Sequence, residues 1–221
     1  MDKRFQVFGF ELGRENQSLR RKYMQSYHAC ISFIDAQIGL VLDAVKEAGL
    51  WEDTIIVFTS DHGYHLGEHF MWGKVTLFEV CDRVPLVMRV PGMTEPGSVS
   101  EALVELVDLY PTLARLAKVK APGDLQGKSL VPLLKEPATG GRDVAYTIVA
   151  RGDKLGRAVR TKDWRFSEWP DGEELYSLKD DPEELSNLAE NVEYRTRLQE
   201  MRQLLEAKKV EASSARERQG E

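Results

Sequence analysis

The run Thr54-Ile55-Ile56-Val57-Phe58-Thr59-Ser60-Asp61-His62-Gly63-Tyr64-His65-Leu66-Gly67-Glu68-His69 sets the fold class and places the chemistry on it. Its first seven residues are β-branched or apolar without strict alternation, the pattern of a strand covered on both faces. Upstream, Tyr27, Cys30, Ile31, Ile34, Ile38, Val41, Leu42 and Val45 advance at helical spacing, and Gly49 supplies a C-terminal stop. A helix leading into such a strand predicts a layered α/β sheet. Polar, histidine-rich residues begin where the strand ends, and open α/β sheets bind ligands outside those ends.

Downstream, residues 84–90 read as a second strand closed by Pro91-Gly92. Residues 103–107 read as a short extended segment, and Asp108 as the cap of a helix to Lys118 with Pro111 in its first turn. The breaker-rich stretch from Pro137 to Gly141 marks a change of texture. Beyond it, residues 144–149, 157–161, 164–169 and 174–178 are strand-like runs separated by turn residues such as Pro170-Asp171-Gly172, which predicts an antiparallel sheet. Asp181-Pro182-Glu183-Glu184 resembles a helix start, and Leu198, Met201, Leu204 and Leu205 give a last helix one apolar stripe. From about Ala212 the small, polar and charged residues predict fraying. The expected organisation is therefore residues 1–138 in the layered part, 139–211 in a small subdomain and 212–221 as a tail.

At 221 residues with 42% hydrophobic and 30% charged side chains, the chain falls in the globular range. Thirty Lys and Arg against 36 Asp and Glu give a net charge of -6, and without a basic stripe nucleic acid is not an expected partner. No unbroken apolar run approaches ~18 residues, so no transmembrane segment is expected. Met1-Asp2-Lys3-Arg4-Phe5 lacks the apolar region of a signal peptide. Cys30 and Cys81 cannot make a disulfide framework and read as two buried thiols.

Three of the four histidines fall between residues 62 and 69. Asp61 and His62 can offer a carboxylate oxygen and an imidazole nitrogen to one metal if the backbone turns sharply, which Gly63 permits. The plainer alternative is a turn capped by Asp61. Lys74 near a metal suggests an anionic substrate between two cations; its plainer reading is a solvated side chain. His65 and His69 are four apart, but Gly63 and Gly67 weaken a helix there and no Glu follows His65, against a zinc pair. His28 lies beside the apolar stripe and reads as a packed or surface residue.

The ordered string 59–69, then Trp72-Gly73-Lys74, Arg83-Val84-Pro85-Leu86 and Val90-Pro91-Gly92, resembles the type I sulfatase family, in particular its iduronate-2-sulfatase-like branch. Val107-Asp108-Leu109-Tyr110-Pro111-Thr112, Leu125-Gln126-Gly127-Lys128-Ser129-Leu130, residues 160–165, Glu174-Leu175-Tyr176-Ser177-Leu178 and residues 180–188 continue the pattern in order. The resemblance spans residues 23–205. It implies an alkaline-phosphatase-like α/β fold, with residues 1–138 as the C-terminal part of the catalytic domain and 139–211 as the small C-terminal subdomain. It also implies hydrolysis of a sulfate ester, with a sulfated carbohydrate as substrate. Asp61 and His62 would bind Ca2+, Lys74 would contact the sulfate, and His69 would line the substrate pocket or stabilise a turn. Complete family members generally act in the periplasm, in the lysosome or outside the cell.

The resemblance also defines what these residues lack. The family nucleophile is a formylglycine made from Cys or Ser in a Cys/Ser-x-Pro-x-Arg motif. Neither Cys30-Ile31-Ser32-Phe33-Ile34 nor Cys81-Asp82-Arg83-Val84-Pro85 fits it, and no serine does. The family's acidic pair on its first strand, and further Lys and His contacts, would precede Met1. The expectation is a sulfatase fragment, inactive alone, that associates with an N-terminal half. Two alternatives stand beside it: a phosphodiesterase or phosphonate monoester hydrolase of the same superfamily, and a non-catalytic binder of a partner chain or sulfated glycan.

Overall fold

The computed structural model describes residues 6–7, 10–12 and 15–217. The chain divides into two compact units, Met1–Lys74 with Arg83–Gly92, and Val75–Asp82 with Met93–Glu221. Helices and sheets mix in the α/β class that the sequence predicts.

In the first unit, β1 (Gln6–Val7) and β2 (Phe10–Glu11) form an antiparallel pair. Helix α1 (Gln17–Glu47) follows, started by Asn16, whose side chain accepts from the Leu19 N–H at 3.3 Å. It stops as expected at Gly49, whose φ of 71° turns the chain so that the next N–H, that of Leu50, reaches back to the Val45 carbonyl at 3.0 Å. The apolar stripe is present but uncovered. No α1 residue is buried, and of the stripe Ile34 and Val41 are 53% and 63% exposed. Cys30 is exposed on this helix while Cys81 is buried, which corrects the reading of two buried thiols; neither forms a disulfide.

Beside the expectation of no transmembrane segment stands one candidate by length and composition, helix α1. By length and composition it is long and apolar enough to cross a membrane, because Asp35 and Asp43 interrupt its apolar residues without lowering its mean hydropathy below that of a span. Core helices pass the same test.

Strand β3 (Ile56–Thr59) falls inside the predicted run, β4 (His65–Leu66) pairs antiparallel with β5 (Trp72–Gly73), and β6 (Leu86–Arg89) matches the second predicted strand. Within this chain β3 pairs antiparallel with β6, Ile56 opposite Arg89 and Thr59 opposite Leu86, and every ladder among the described residues is antiparallel. Arg89 closes this pair by lying 4.3 Å over the Trp51 ring and donating to the Trp51 carbonyl at 2.5 Å.

In the second unit, α2 (Glu79–Asp82), α3 (Leu109–Leu116) and α4 (Val131–Lys135) precede a four-stranded antiparallel sheet. Its strands are β7 (Ala145–Arg151), β8 (Lys154–Arg160), β9 (Trp164–Trp169) and β10 (Gly172–Ser177), in the order β10-β9-β8-β7. The turn residues named from the sequence close the β9–β10 hairpin. Helix α5 (Arg195–Glu217) lays Leu198, Met201 and Leu205 against Val159, Phe166 and Leu175. Burying side chains of this size stabilises by about 1.5–3 kcal/mol each. α5 continues through residues 212–217, where composition predicts fraying, and residues 218–221 lie outside the described residues.

Residues 93–138 pack in this unit, although the change of texture lies at 138/139. Three ties explain it. Leu103 bridges Arg142, Arg142 pairs with buried Asp108 and with Glu105 (3.1 Å), and Glu105 accepts from the Tyr146 N–H at 2.8 Å. Asp108 therefore does not cap α3 through its side chain; its carboxylate instead accepts from the N–H groups of Glu105 and Lys128. The expected extended segment is reduced to the Leu103 bridge followed by a 3-10 turn at Leu106–Asp108. Asp181 starts a turn, not a helix, because its carboxylate accepts from Leu185 N (3.1 Å) and Ser186 N (2.8 Å).

Beside the core sits a buried charge cluster. Arg165 on β9, 2% exposed, pairs with Asp82 (2.7 Å), Glu184 (2.8 Å) and Glu79, and Arg160 adds a second cation to Glu79 at 3.2 Å. Burial pushes the Glu184 carboxyl up to about 7, although Arg165 opposes it. Burial acts on Glu79 too, yet Arg165 and Arg160 outweigh it and hold that carboxyl below the ordinary range.

Candidate active site

The site is one loop, from the end of β3 to Lys74, folded back on itself. Three hydrogen bonds shape its first turn. Ser60 Oγ donates to the His62 carbonyl (2.8 Å), the His62 N–H donates to Asp61 Oδ1 (3.1 Å), and His62 Nδ1–H donates to the Gly63 carbonyl (2.8 Å). Asp61 is thus both the turn cap of the plainer reading and an 82% exposed carboxylate with Oδ2 free to face a ligand.

The β4–β5 hairpin then closes the gap in sequence. Pairing His65 with Gly73 and Leu66 with Trp72 returns the chain so that Lys74 Nζ reaches His62 Nε2 at 2.7 Å. A carbonyl can only accept and an ammonium only donate, so these two bonds pair Nδ1–H with the Gly63 carbonyl and leave Nε2 as the acceptor for Lys74. Asp61 Oδ2 lies 3.3 Å from the same Nε2. The structure therefore brings Asp61, His62 and Lys74 into one cluster, as their order in the sequence suggests.

Tight backbone geometry maintains the hairpin. Gly67 at φ 123° and Gly73 at φ 110° take conformations that side chains disfavour, and Val75, directly after Lys74, is held at φ 71° despite its branched Cβ. His69, at φ 53°, occupies the short turn Glu68–Phe70 with its ring edge-on to that of His65, 5.8 Å away. His65 is fully buried on β4, so His65 and His69 are not a helical pair. His28 is exposed on α1, with Nδ1 2.8 Å from the Met24 carbonyl, in keeping with a surface role.

Two residues here carry no signal in the local sequence pattern. The hydroxyls of Tyr23, on α1, and Tyr64, in the loop, are hydrogen-bonded to each other. Burial, the bond to Tyr23 and the negative charge Tyr23 can carry push the Tyr64 hydroxyl up to about 12, with Lys74 opposing the shift. Tyr27 stacks obliquely on Tyr64 at 5.4 Å, Tyr23 meets Trp72 edge-on at 5.3 Å, and the Arg20 guanidinium lies 5.5 Å over the Trp72 ring. Leu12 and Trp72, both buried, complete this packing with Leu19 and Leu66.

Among the described residues no group of three or more His, Cys, Asp or Glu is placed to hold a metal. Asp61 and His62 are a fit as two members of a larger set, since Oδ2 and Nε2 converge and the Nδ1–H bond orients the ring. Calcium takes six to eight oxygen ligands, so the rest would have to come from other residues.

The sulfatase profile matches residues 2–119, and the profile for N-sulphoglucosamine sulphohydrolase, C-terminal, matches residues 67–211. The chain is 36% identical to the N-acetylglucosamine-6-O-sulfatase of Bacteroides thetaiotaomicron, over 84% of this chain and 35% of that protein. It is 34% identical to human iduronate 2-sulfatase, over 68% of this chain and 38% of that protein. The structure of BT4656 in complex with D-glucosamine-2-N,6-O-disulfate superposes with a TM-score of 0.84 at 33% identity, covering 88% of this chain and 42% of that one. The phosphonate monoester hydrolase of Agrobacterium radiobacter superposes at 0.69 with 32% identity, covering 85% and 40%. The chain thus spans well under half the length of the relatives it matches. Its fold is the alkaline-phosphatase-like α/β fold of these enzymes, and the chain belongs to the sulfatase family, whose C-terminal portion it resembles.

Proposed function

We propose that this chain supplies the metal- and sulfate-contacting part of a sulfuric ester hydrolase acting on a sulfated sugar. The observation that carries the reading is the convergence of Asp61 Oδ2, His62 Nε2 and Lys74 Nζ at the exposed end of the loop. Asp61 and His62 would hold two positions around Ca2+, which when bound would draw the anionic ester toward the loop. Lys74 donates to His62 Nε2 while neither metal nor anion is present; with Nε2 given to Ca2+ its ammonium would be the group that turns to a sulfate oxygen and balances charge as the S–O bond breaks. His69, in the turn Glu68–Phe70, would line the substrate pocket or stabilise that turn. The glucosamine disulfate complex of BT4656 supports the sugar as substrate.

The nucleophile lies elsewhere. No Cys/Ser-x-Pro-x-Arg occurs in these 221 residues, so turnover requires an N-terminal sulfatase half, with residues 1–138 continuing its catalytic domain and 139–211 as the small subdomain. The uncovered apolar residues of α1 support this partner, since a face of that kind left open invites association.

A second reading, phosphonate or phosphate ester hydrolysis, is favoured by the superposition on a phosphonate monoester hydrolase. The test is turnover of matched 4-nitrophenyl sulfate, phosphate and phenylphosphonate esters by the chain joined to its N-terminal half. Tenfold or greater preference for sulfate supports the first reading, and preference for either phosphorus ester replaces it with the second.

A further inference from the structure

A hairpin of two residues per strand is marginal in water, so the β4–β5 pairing does not by itself explain how Lys74 is kept on His62. Something must tie both arms to a longer element. Tyr64 is placed to do so. It follows Gly63, whose carbonyl fixes the His62 ring on the outgoing arm. The returning arm meets the Tyr23–Tyr64 pair through Trp72, edge-on to the Tyr23 ring at 5.3 Å, and its Gly73 leaves open beside the Tyr64 hydroxyl a space where a Cβ would stand 3.9 Å away. The Tyr23 hydroxyl bonds to this hydroxyl across 41 residues of sequence, and α1 is a single continuous helix of 31 residues.

We propose that Tyr64, latched by Tyr23, is a positioning residue that keeps Lys74 seated on His62. The resting place from which Lys74 would turn to a sulfate is then set by a helix that contributes nothing to the Asp-His-Gly string. Phenylalanine at either position keeps the packing on Trp72 and Tyr27 but removes the bond, so the arms lose their shared tie while the ring cluster remains. The latch is a property of this loop; only its meaning for catalysis rests on the sulfatase reading.

The test is trace acetylation of the full chain with acetic anhydride under native conditions, scored by mass spectrometry as the ratio of Lys74 to the exposed Lys120. The expected result for Tyr64→Phe and for Tyr23→Phe is a rise of twofold or more in that ratio. The double variant is expected to show no more than the larger single effect, because both changes cut one bond. The 15N resonance of His62 Nε2 should move downfield in the same variants, reporting loss of the Lys74 hydrogen bond, which a general loss of stability would not produce in a folded sample. A change under twofold in either single variant, or multiplying effects in the double variant, overturns the latch. If either variant unfolds, the His62 resonance followed in a Tyr64→Trp variant decides: an unmoved resonance overturns the latch, and a downfield shift supports it. Absence of sulfatase turnover by the joined enzyme would remove the sulfatase reading and leave the latch result unaffected.

Discussion

The sheet β7–β10 and the helix α1 both carry apolar residues at the spacing of their element, yet only the sheet buries them. Val159, Phe166 and Leu175 are sealed by Leu198, Met201 and Leu205 of α5, a partner supplied by the same chain. Ile31, Phe33, Ile34, Leu40 and Val41 of α1 face solvent, and across the β3–β6 pair Val87 is 61% exposed. The periodicity of an element tells which face wants a partner. It does not tell whether the partner lies in the same stretch of chain. Here the self-sufficient region is the one without the chemistry, and the region bearing Asp61, His62 and Lys74 is the one left open.

The largest expected effect tests this contrast directly. Phe166→Ala empties a closed core and should cost about 3–5 kcal/mol in urea denaturation. Phe33→Ala, at an exposed position, should change stability by less than about 0.5 kcal/mol in the chain alone. Once α1 is covered by an N-terminal half, the same Phe33→Ala should cost more than about 1 kcal/mol. Equal costs at the two positions in the chain alone would break the comparison.

The charge cluster gives the next largest effect and locates it in the second unit. The Glu184 carboxyl sits at about 7 in the folded state against an ordinary value of 4.5, so the fold binds its proton more tightly than the unfolded chain does. That contribution is fully present below about pH 4.5 and is lost as the pH rises through about 7. It is on the order of 1–3 kcal/mol. Glu79, held below its ordinary value, acts in the opposite sense, contributing at higher pH and losing its contribution as the pH falls through its folded value. Between pH 5 and 8 the urea midpoint should therefore fall. Glu184→Gln, which removes the titrating group and keeps an oxygen for only one of its two donors, Arg165 or the Glu79 N–H, should flatten the profile. A midpoint that rises with pH in the wild-type chain, or an unchanged slope in the variant, contradicts the assignment.

The smallest effect is one of reactivity. Exposed Cys30 should react with a thiol reagent at the rate of a free thiol, while buried Cys81 should react only as its unit opens. Covering α1 should slow Cys30 and leave Cys81 as it was.

What could be read from the sequence follows the range of the interactions. The strands and hairpins of the sheet, and the stripe of α5, rest on neighbours a few residues apart, and the structure places them within a few residues of expectation. The Asp61-His62 pair was legible because adjacency is itself the site geometry, and Lys74 because its order after Trp72-Gly73 carries the family pattern. Asp108 was misread because its decisive partner, Arg142, is 34 residues away and outcompetes a local capping role. Asp181 was misread because its carboxylate closes a turn on Leu185 and Ser186 before a helix can start. The Tyr23–Tyr64 bond leaves no local trace, since tyrosine at those positions fits a helix and a loop without it.

The most direct measurement is 4-nitrophenyl sulfate turnover in three samples: the chain alone, the chain joined to an N-terminal half bearing Cys/Ser-x-Pro-x-Arg, and the joined protein with Lys74→Ala. The account predicts no turnover by the chain alone, turnover by the joined protein, and a loss of about 100-fold or more with Lys74→Ala. Turnover by the chain alone, or full turnover without Lys74, would contradict it.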